Sequence, residues 1–292
     1  MKVTLSCHEN KLMLATGMEP EMIRQIFAYV LGRALAKYGV LLHAAIQMGN
    51  HYHLDITDVR GVLPHFKAYF NGMLSRALNC HRGRCGDFWD HKGSCDTVRD
   101  NDEDSIGDLV YTEANAVDAG LVKWPERWPG FHTSGWAFGE SREFKRPPCS
   151  FFRNEKKWPK TVSILRVIPP CLAGHTDGEA TTLLSDAVRA RCLEKQEAMK
   201  EENRRFKGVK KLAKDKWWRV PGSSSKDDWY GVRPKVAVRS QWRRLAALQR
   251  NAVWEAAYAA ADEAFKKGER EVEFPYGTWL VRQRHCVKVA LR

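Results

Sequence analysis

Between Lys2 and Ala119 the spacing of apolar residues switches repeatedly between a period of two and a period near 3.6. That switching restricts the chain to a sheet with helices layered on it. Lys2 to Cys7 reads as a short strand. Pro20 to Tyr38 carries Met22, Ile23, Ile26, Phe27, Val30, Leu31 and Leu35 at helical spacing, with Glu19 and Glu21 at its start and Gly39 at its end, all in the order that helix termini favour. Val40 to Gln47 is an apolar run of strand length, and Gly49-Asn50 signals a turn or bulge. From His51 to Asp58 the alternation returns: Tyr52, Leu54 and Ile56 point one way, His51, His53 and Asp55 the other. Leu63 to Cys80 is amphipathic, Asp87 to Val98 is strand-like around Phe88-Trp89, and Asn101 to Ala119 is a helix opened by Asp102, Glu103 and Asp104 and closed by Gly120. The order β-α-β-β-α-β-α predicts an α+β fold built on an antiparallel sheet.

After Lys123 the character changes. A Trp- and Pro-rich loop, Trp124 to Gly130, is followed by Pro147-Pro148 and Pro169-Pro170, a polar helix over about Thr181 to Phe206, a basic stretch from Lys207 to Lys216, a Gly222-Ser225 break and a helix over Arg239 to Lys267. This divides the chain into residues 1–135 and a basic, mainly helical C-terminal region, 136–292. The formal charge is +13, and residues 200–250 hold sixteen Lys or Arg against five Asp or Glu. Such a balance points to a polyanion, either nucleic acid or an anionic membrane surface. No apolar run is long enough to span a bilayer, and no secretory signal opens the chain, so a cytoplasmic, non-membrane protein is expected.

Chemistry concentrates in two places. His51 and His53 are two apart on a strand, so both imidazoles project from one face and can grip one divalent ion. The bland alternative is a solvent-facing pair. Tyr111 and Asn115 are four apart and share a helix face. Tyr111 is a nucleophile or a packed aromatic. Asn115 is a third metal ligand, a group that orients the site, or a helix C-terminal residue. Elsewhere, Cys80, His81, Cys85, His91 and Cys95 crowd together without matching a common structural zinc spacing, and free thiols in a reducing compartment are the simpler reading.

Two segments taken together resemble a known family. Gln47-Met48-Gly49-Asn50-His51-Tyr52-His53-Leu54 resembles the histidine motif of REP-associated tyrosine transposases and their insertion-sequence relatives, which are single-tyrosine HUH enzymes. Tyr111 to Val122 is similar to that family's tyrosine helix and its exit, and Trp124, Pro125, Trp128 and Pro129 to the tail that follows. The resemblance covers roughly residues 1–135. It departs from the family's pattern at Gly49 and Ala116, where proline is usual, and at Asp118, where a basic residue is usual. It implies a ferredoxin/RRM-like HUH nuclease domain with Tyr111 as nucleophile, and with His51, His53 and Asn115 around Mg2+ or Mn2+. The implied activity is cleavage of single-stranded DNA at a hairpin or repeat end (a REP element), through a 5′-phosphotyrosine link that a 3′-OH later reseals in DNA transposition and recombination. Monomer and homodimer both occur among such enzymes.

The basic stretch suits the same task. Lys207, Lys210, Lys211, Lys214 and Lys216 can track phosphates, and Trp217, Trp218, Trp229 and Trp242 can stack on unpaired bases or serve as core residues. Two rival classes remain open: a replication initiator or relaxase with the same chemistry, and a domesticated hairpin-binding protein with none.

Overall fold

The computed structural model describes residues 1–290 except Thr16, Met18, Lys92, Val98, Asp100 and 222–240. In chain order its elements begin with β1 (Lys2–Ser6), α1 (Pro20–Tyr38), β2 (Val40–Gln47), β3 (His51–Asp58), α2 (Leu63–His81), β4 (Cys95–Thr97) and α3 (Asp102–Asp118). They continue with β5 (Ser141–Lys145), β6 (Thr161–Leu165), α4 (Asp177–Glu201), α5 (Val209–Leu212), α6 (Gln241–Lys266), β7 (Glu273–Phe274), α7 (Trp279–His285) and β8 (Lys288–Val289). The architecture is α+β, with antiparallel sheets flanked by helices and a helical C-terminal region.

The first four strands form one sheet in the order β2-β3-β1-β4, with every pairing antiparallel. A β-α-β-β-α-β path in that order is the ferredoxin-like arrangement. The alternation of β1 and β3 gives the sheet two unlike faces. Val3, Leu5, Tyr52, Leu54 and Ile56 point toward α1 and α2 and join Ile26, Phe27, Phe66, Phe70 and Leu74 in the larger core. Lys2, Thr4, Ser6, His51, His53 and Asp55 occupy the alternate positions, and α3 lies over that side. In β2 the parity breaks: Leu42 and Ala45 belong to the larger core, and Ala44, Ile46 and Met48 to the second. The register shift between Leu42 and Ala44 is the cause, because one extra residue sends the rest of the strand to the opposite face.

Packing continues past residue 135. The β5–β6 hairpin, which the sequence does not announce, lays Val162 and Ile164 on α1 within the larger core. Gly32 permits the approach, since a Cβ there would stand 2.8 Å from Val162 Cγ2. Helix α4 places Leu184, Val188 and Cys192 beside Leu109 and Val117 of α3 in the second core. It begins four residues before the expected Thr181, because Thr176 and Glu179 form a reciprocal cap, and it ends at Glu201. The fourth strand also differs from expectation. Trp89 makes only an isolated bridge with Cys7, and the ladder runs through Cys95–Thr97. All eight cysteines are free thiols. In the C-terminal region Ala261, Phe274 and Val287 form a small cluster of their own. Among the described residues no helix is long and apolar enough to cross a membrane.

Candidate functional site

The side of the sheet under α3 carries the two histidines. The antiparallel register sets Thr4 opposite His53 and Ser6 opposite His51, so β1 supplies the neighbours of the imidazoles. His53 Nδ1 lies 2.8 Å from Thr4 Oγ1, and His51 Nδ1 lies 2.8 Å from Asn50 Oδ1. An Nδ1–H donated to each oxygen leaves Nε2 as the nitrogen with a lone pair, the arrangement in which an outer partner orients a ligating imidazole. His53 Nε2 is buried and has no hydrogen-bond partner among the described residues. Burial pushes both rings toward the neutral form, His51 to about 4 and His53 well below its ordinary value, with the Lys2 charge acting in the same direction. Neutral imidazole is the form that binds a metal. Their ring centroids lie 4.8 Å apart, edge to face.

Helix α3 brings the tyrosine to the same place. Its first turn is fixed by Asn101, whose side chain accepts from the Asp104 amide at 2.7 Å. One face of the helix is buried against the sheet and α4, yet Tyr111 remains 44% exposed, unusual for an aromatic in the middle of a packed helix. Its ring meets that of His53 edge-on, with centroids 5.5 Å apart. Lys2 lies over the ring, its ammonium 3.9 Å from the centroid. Asp108, one turn earlier, stands 3.7 Å from Lys2 and binds Arg99 through both of its carboxylate oxygens at 2.5 and 2.6 Å. Asp55, the third residue of the histidine face, is buried, and desolvation lifts its carboxyl to about 6 against the pull of Lys2.

His51 and Tyr111 line an open cleft of about 590 Å³, together with Asn50, Asn115, Asp118, Lys207, Asp215 and Arg219. Among the described residues no third His, Cys, Asp or Glu comes within 4.8 Å of both His51 and His53 as a ligand. An ion there would take its remaining ligands from the buried Asn115 amide, from water, or from a phosphate in the cleft.

The basic stretch reaches the site unevenly. Lys207 lines the cleft, but both oxygens of Asp215 hold its ammonium, at 2.6 and 2.5 Å. Lys210, Lys211, Lys214 and Lys216 are exposed. Trp217 is half-buried between the guanidinium groups of Arg82 and Arg84, and Trp218, 54% exposed, meets it edge-on. Trp242 is exposed on α6, and Trp229 lies outside the described residues. Residues 207–219 are stitched to the body by Lys207 N to Gly120 O, Gly208 N to Leu121 O and Leu12 N to Arg219 O.

Sequence reasoning passed over Lys2, Thr4, Asn50 and Arg219. For Lys2 and Thr4 a signal exists in the alternation of β1, which puts both on the face opposite Val3 and Leu5. It becomes informative only once β1 is paired with β3.

A second cluster of ligating groups lies apart from the cleft lining. The ligand atoms of His8, Asp87 and His91 all fall within 4.8 Å of one another, a set able to hold a metal ion.

No protein-family model matches the chain, and no curated protein matches it. Among solved structures, the chain is similar to a REP-associated tyrosine transposase bound to a REP hairpin, at 14% identity and a TM-score of 0.37, over 46% of this chain and 74% of that one.

Proposed function

We propose that the protein is a metal-dependent endonuclease and strand transferase for single-stranded DNA, of the single-tyrosine HUH transposase kind, acting at a hairpin or repeat end. The observation that carries this reading is the meeting of an exposed Tyr111 with His53, itself beside His51, each imidazole keeping a nitrogen available, with Tyr111 and His51 on the wall of one cleft. The resemblance of residues 47–54 and 111–122 to that family's two motifs supports it further.

In this mechanism His51 and His53, with Asn115 beside them, hold Mg2+ or Mn2+, which when bound supplies positive charge at the scissile phosphate. Thr4 and Asn50 keep both imidazoles in the tautomer and orientation that ligation needs. Tyr111 attacks the phosphorus in line. The phenolic O–P bond forms, the bond to the 3′ oxygen breaks, and the phenolic proton passes through water to that oxygen, which leaves as a 3′-OH. The 5′-phosphotyrosine retains the phosphodiester energy, so a later 3′-OH reverses the step without a nucleotide cofactor. The buried Lys2 ammonium lies over the ring and sets a positive charge near the phenol as it loses its proton.

The test is a denaturing gel with end-labelled hairpin DNA and Mg2+ or Mn2+. The native chain is expected to give a covalent protein–DNA band, and Tyr111→Phe to give none while still shifting the hairpin on a native gel. A shift without a covalent band from the native chain would make the protein a binder. A covalent band from Tyr111→Phe would move the nucleophile elsewhere.

A further inference from the structure

The loop between α2 and β4 folds back onto the end of β1. The His8 amide donates to the Phe88 carbonyl and the Asp90 amide to the Ser6 carbonyl, both at 2.9 Å, and Cys7 bridges Trp89 between them. The Trp89 indole N–H, 2.9 Å from the Asn71 carbonyl, ties the same loop to α2. This backbone frame sets His8 on one side of a small gap and Asp87 and His91 on the other. Asp87 Oδ2 stands 3.4 Å from His91 Nε2, and across the gap the His8 and His91 rings meet edge-on with centroids 5.2 Å apart. Glu9 Oε1 is 3.6 Å from His8 Nε2. In a tetrahedral site with bonds of about 2.1 Å, neighbouring ligand atoms lie about 3.4 Å apart, which is the scale of the separations observed.

We propose that His8, Asp87 and His91 bind a zinc ion that clips the α2–β4 loop to the end of β1, at a site separate from His51 and His53. Two imidazole nitrogens and one carboxylate are a donor set that zinc takes readily. The fourth position falls to water or to Glu9 Oε1. With water in the fourth position, one carboxylate and two neutral imidazoles leave the site with a single positive charge, and Glu9 there would cancel it. Asp87 and His91 are exposed, so the ion has an open path in, and the backbone hydrogen bonds hold the ligands close before it arrives.

The two sites share β1 but not their metal chemistry, and this inference does not depend on the cleavage mechanism. Ser6 is the strand partner of His51, and His8 lies two residues beyond it. Zinc at His8 therefore braces the strand that also carries Lys2 and Thr4.

The experiment is a calorimetric titration of Zn2+ alone into the chelator-stripped full-length chain carrying His51→Ala and His53→Ala, which removes the other imidazole pair. The same chain with His8→Ala and His91→Ala added is titrated beside it. Both contain the same eight cysteines, so thiol binding cancels in the difference. One equivalent of zinc is expected in the first chain and missing from the second, and Asp87→Asn should weaken that equivalent at least about tenfold. Should the quadruple variant not fold, His91→Ala alone serves, because its side chain is 72% exposed. Equal stoichiometry and affinity with and without His8 and His91 would overturn the site, as would zinc binding abolished by thiol alkylation alone. A Mg2+-dependent covalent band from the native chain remains a separate readout, so either idea can fail without the other.

Discussion

At the scale of single residues, the proposed mechanism separates groups that would hold a metal from groups that position the tyrosine. His51→Ala and His53→Ala should each remove metal-dependent cleavage. Thr4→Val keeps the shape of the side chain but deletes the oxygen that orients His53, and should weaken Mn2+ binding by about 10- to 100-fold. Calorimetry with Mn2+ checks this, and an unchanged affinity for Thr4→Val would detach β1 from the site. Lys2 acts differently. Lys2→Met retains its length and apolar stem while removing the charge over Tyr111. A cation above an aromatic face contributes about 0.5–2 kcal/mol, so the single-turnover cleavage rate should fall about tenfold with Mn2+ affinity unchanged. A fall in both would mark Lys2 as a general support of the strand. Lys2, Asp55 and Asp108 meet through strand register and helix docking, which bring together residues more than fifty positions apart. That is why the alternation of β3 reveals His51 and His53 while nothing local in β1 distinguishes Lys2.

At the scale of elements, α3 is the piece whose placement decides the site, and it is fixed by an ion pair out of contact with water. Arg166, 2% exposed, binds Glu113 and donates to the carbonyls of His43 at 2.9 Å, Thr133 at 3.3 Å and Trp136 at 2.5 Å. One guanidinium thus joins α3, β2, the loop before β5 and the end of β6. Arg166→Met should destabilise the protein by about 3–5 kcal/mol, because Glu113 is left as an uncompensated buried carboxylate. Adding Glu113→Gln should recover part of that loss. Denaturant melts of the two variants measure it, and a loss below about 1 kcal/mol for Arg166→Met would mean that the carboxylate finds other solvation. The longer elements were legible because each carries its own period and its own ends: α1, β2 and β3 span the stretches that their apolar spacing marks. The β5–β6 hairpin was not, because β5 carries one apolar residue, Phe144, β6 adds an exposed Leu165, and the inward Val162 and Ile164 acquire meaning only against Gly32 of α1. The segment near Trp89 looked like a strand because its aromatics are buried, but they pack without a ladder.

For the whole molecule, the basic stretch divides into a part built into the cleft wall and a part facing solvent. Lys207 is paired with Asp215, so in the proposed DNA binding the cationic contribution of this stretch is expected from Lys210, Lys211, Lys214 and Lys216. Each phosphate contact on a single strand adds about 0.7 to the log–log salt slope, so replacing all four with Gln should lower the slope by up to about 3. Fluorescence anisotropy with a hairpin carrying a single-stranded arm, repeated across a salt series, measures that change. A slope that does not move would make the four lysines a solvated surface. The sequence exposed the charge run plainly, but not which lysine was already committed, since that depends on the turn that brings Asp215 back to Lys207.

The stitching of residues 207–219 to Leu12, Gly120 and Leu121 also sets an order in time. A chain emerging from the ribosome presents its histidines and its tyrosine long before the segment that walls them in has been made. Synthesis proceeds at about 5–20 residues per second, so that gap lasts several seconds. The groups proposed to cut DNA would be translated early, and the cleft that positions a strand for them is completed only after Arg219 has been added. Premature termination between α3 and α5 would leave a product with the reactive residues and no finished wall.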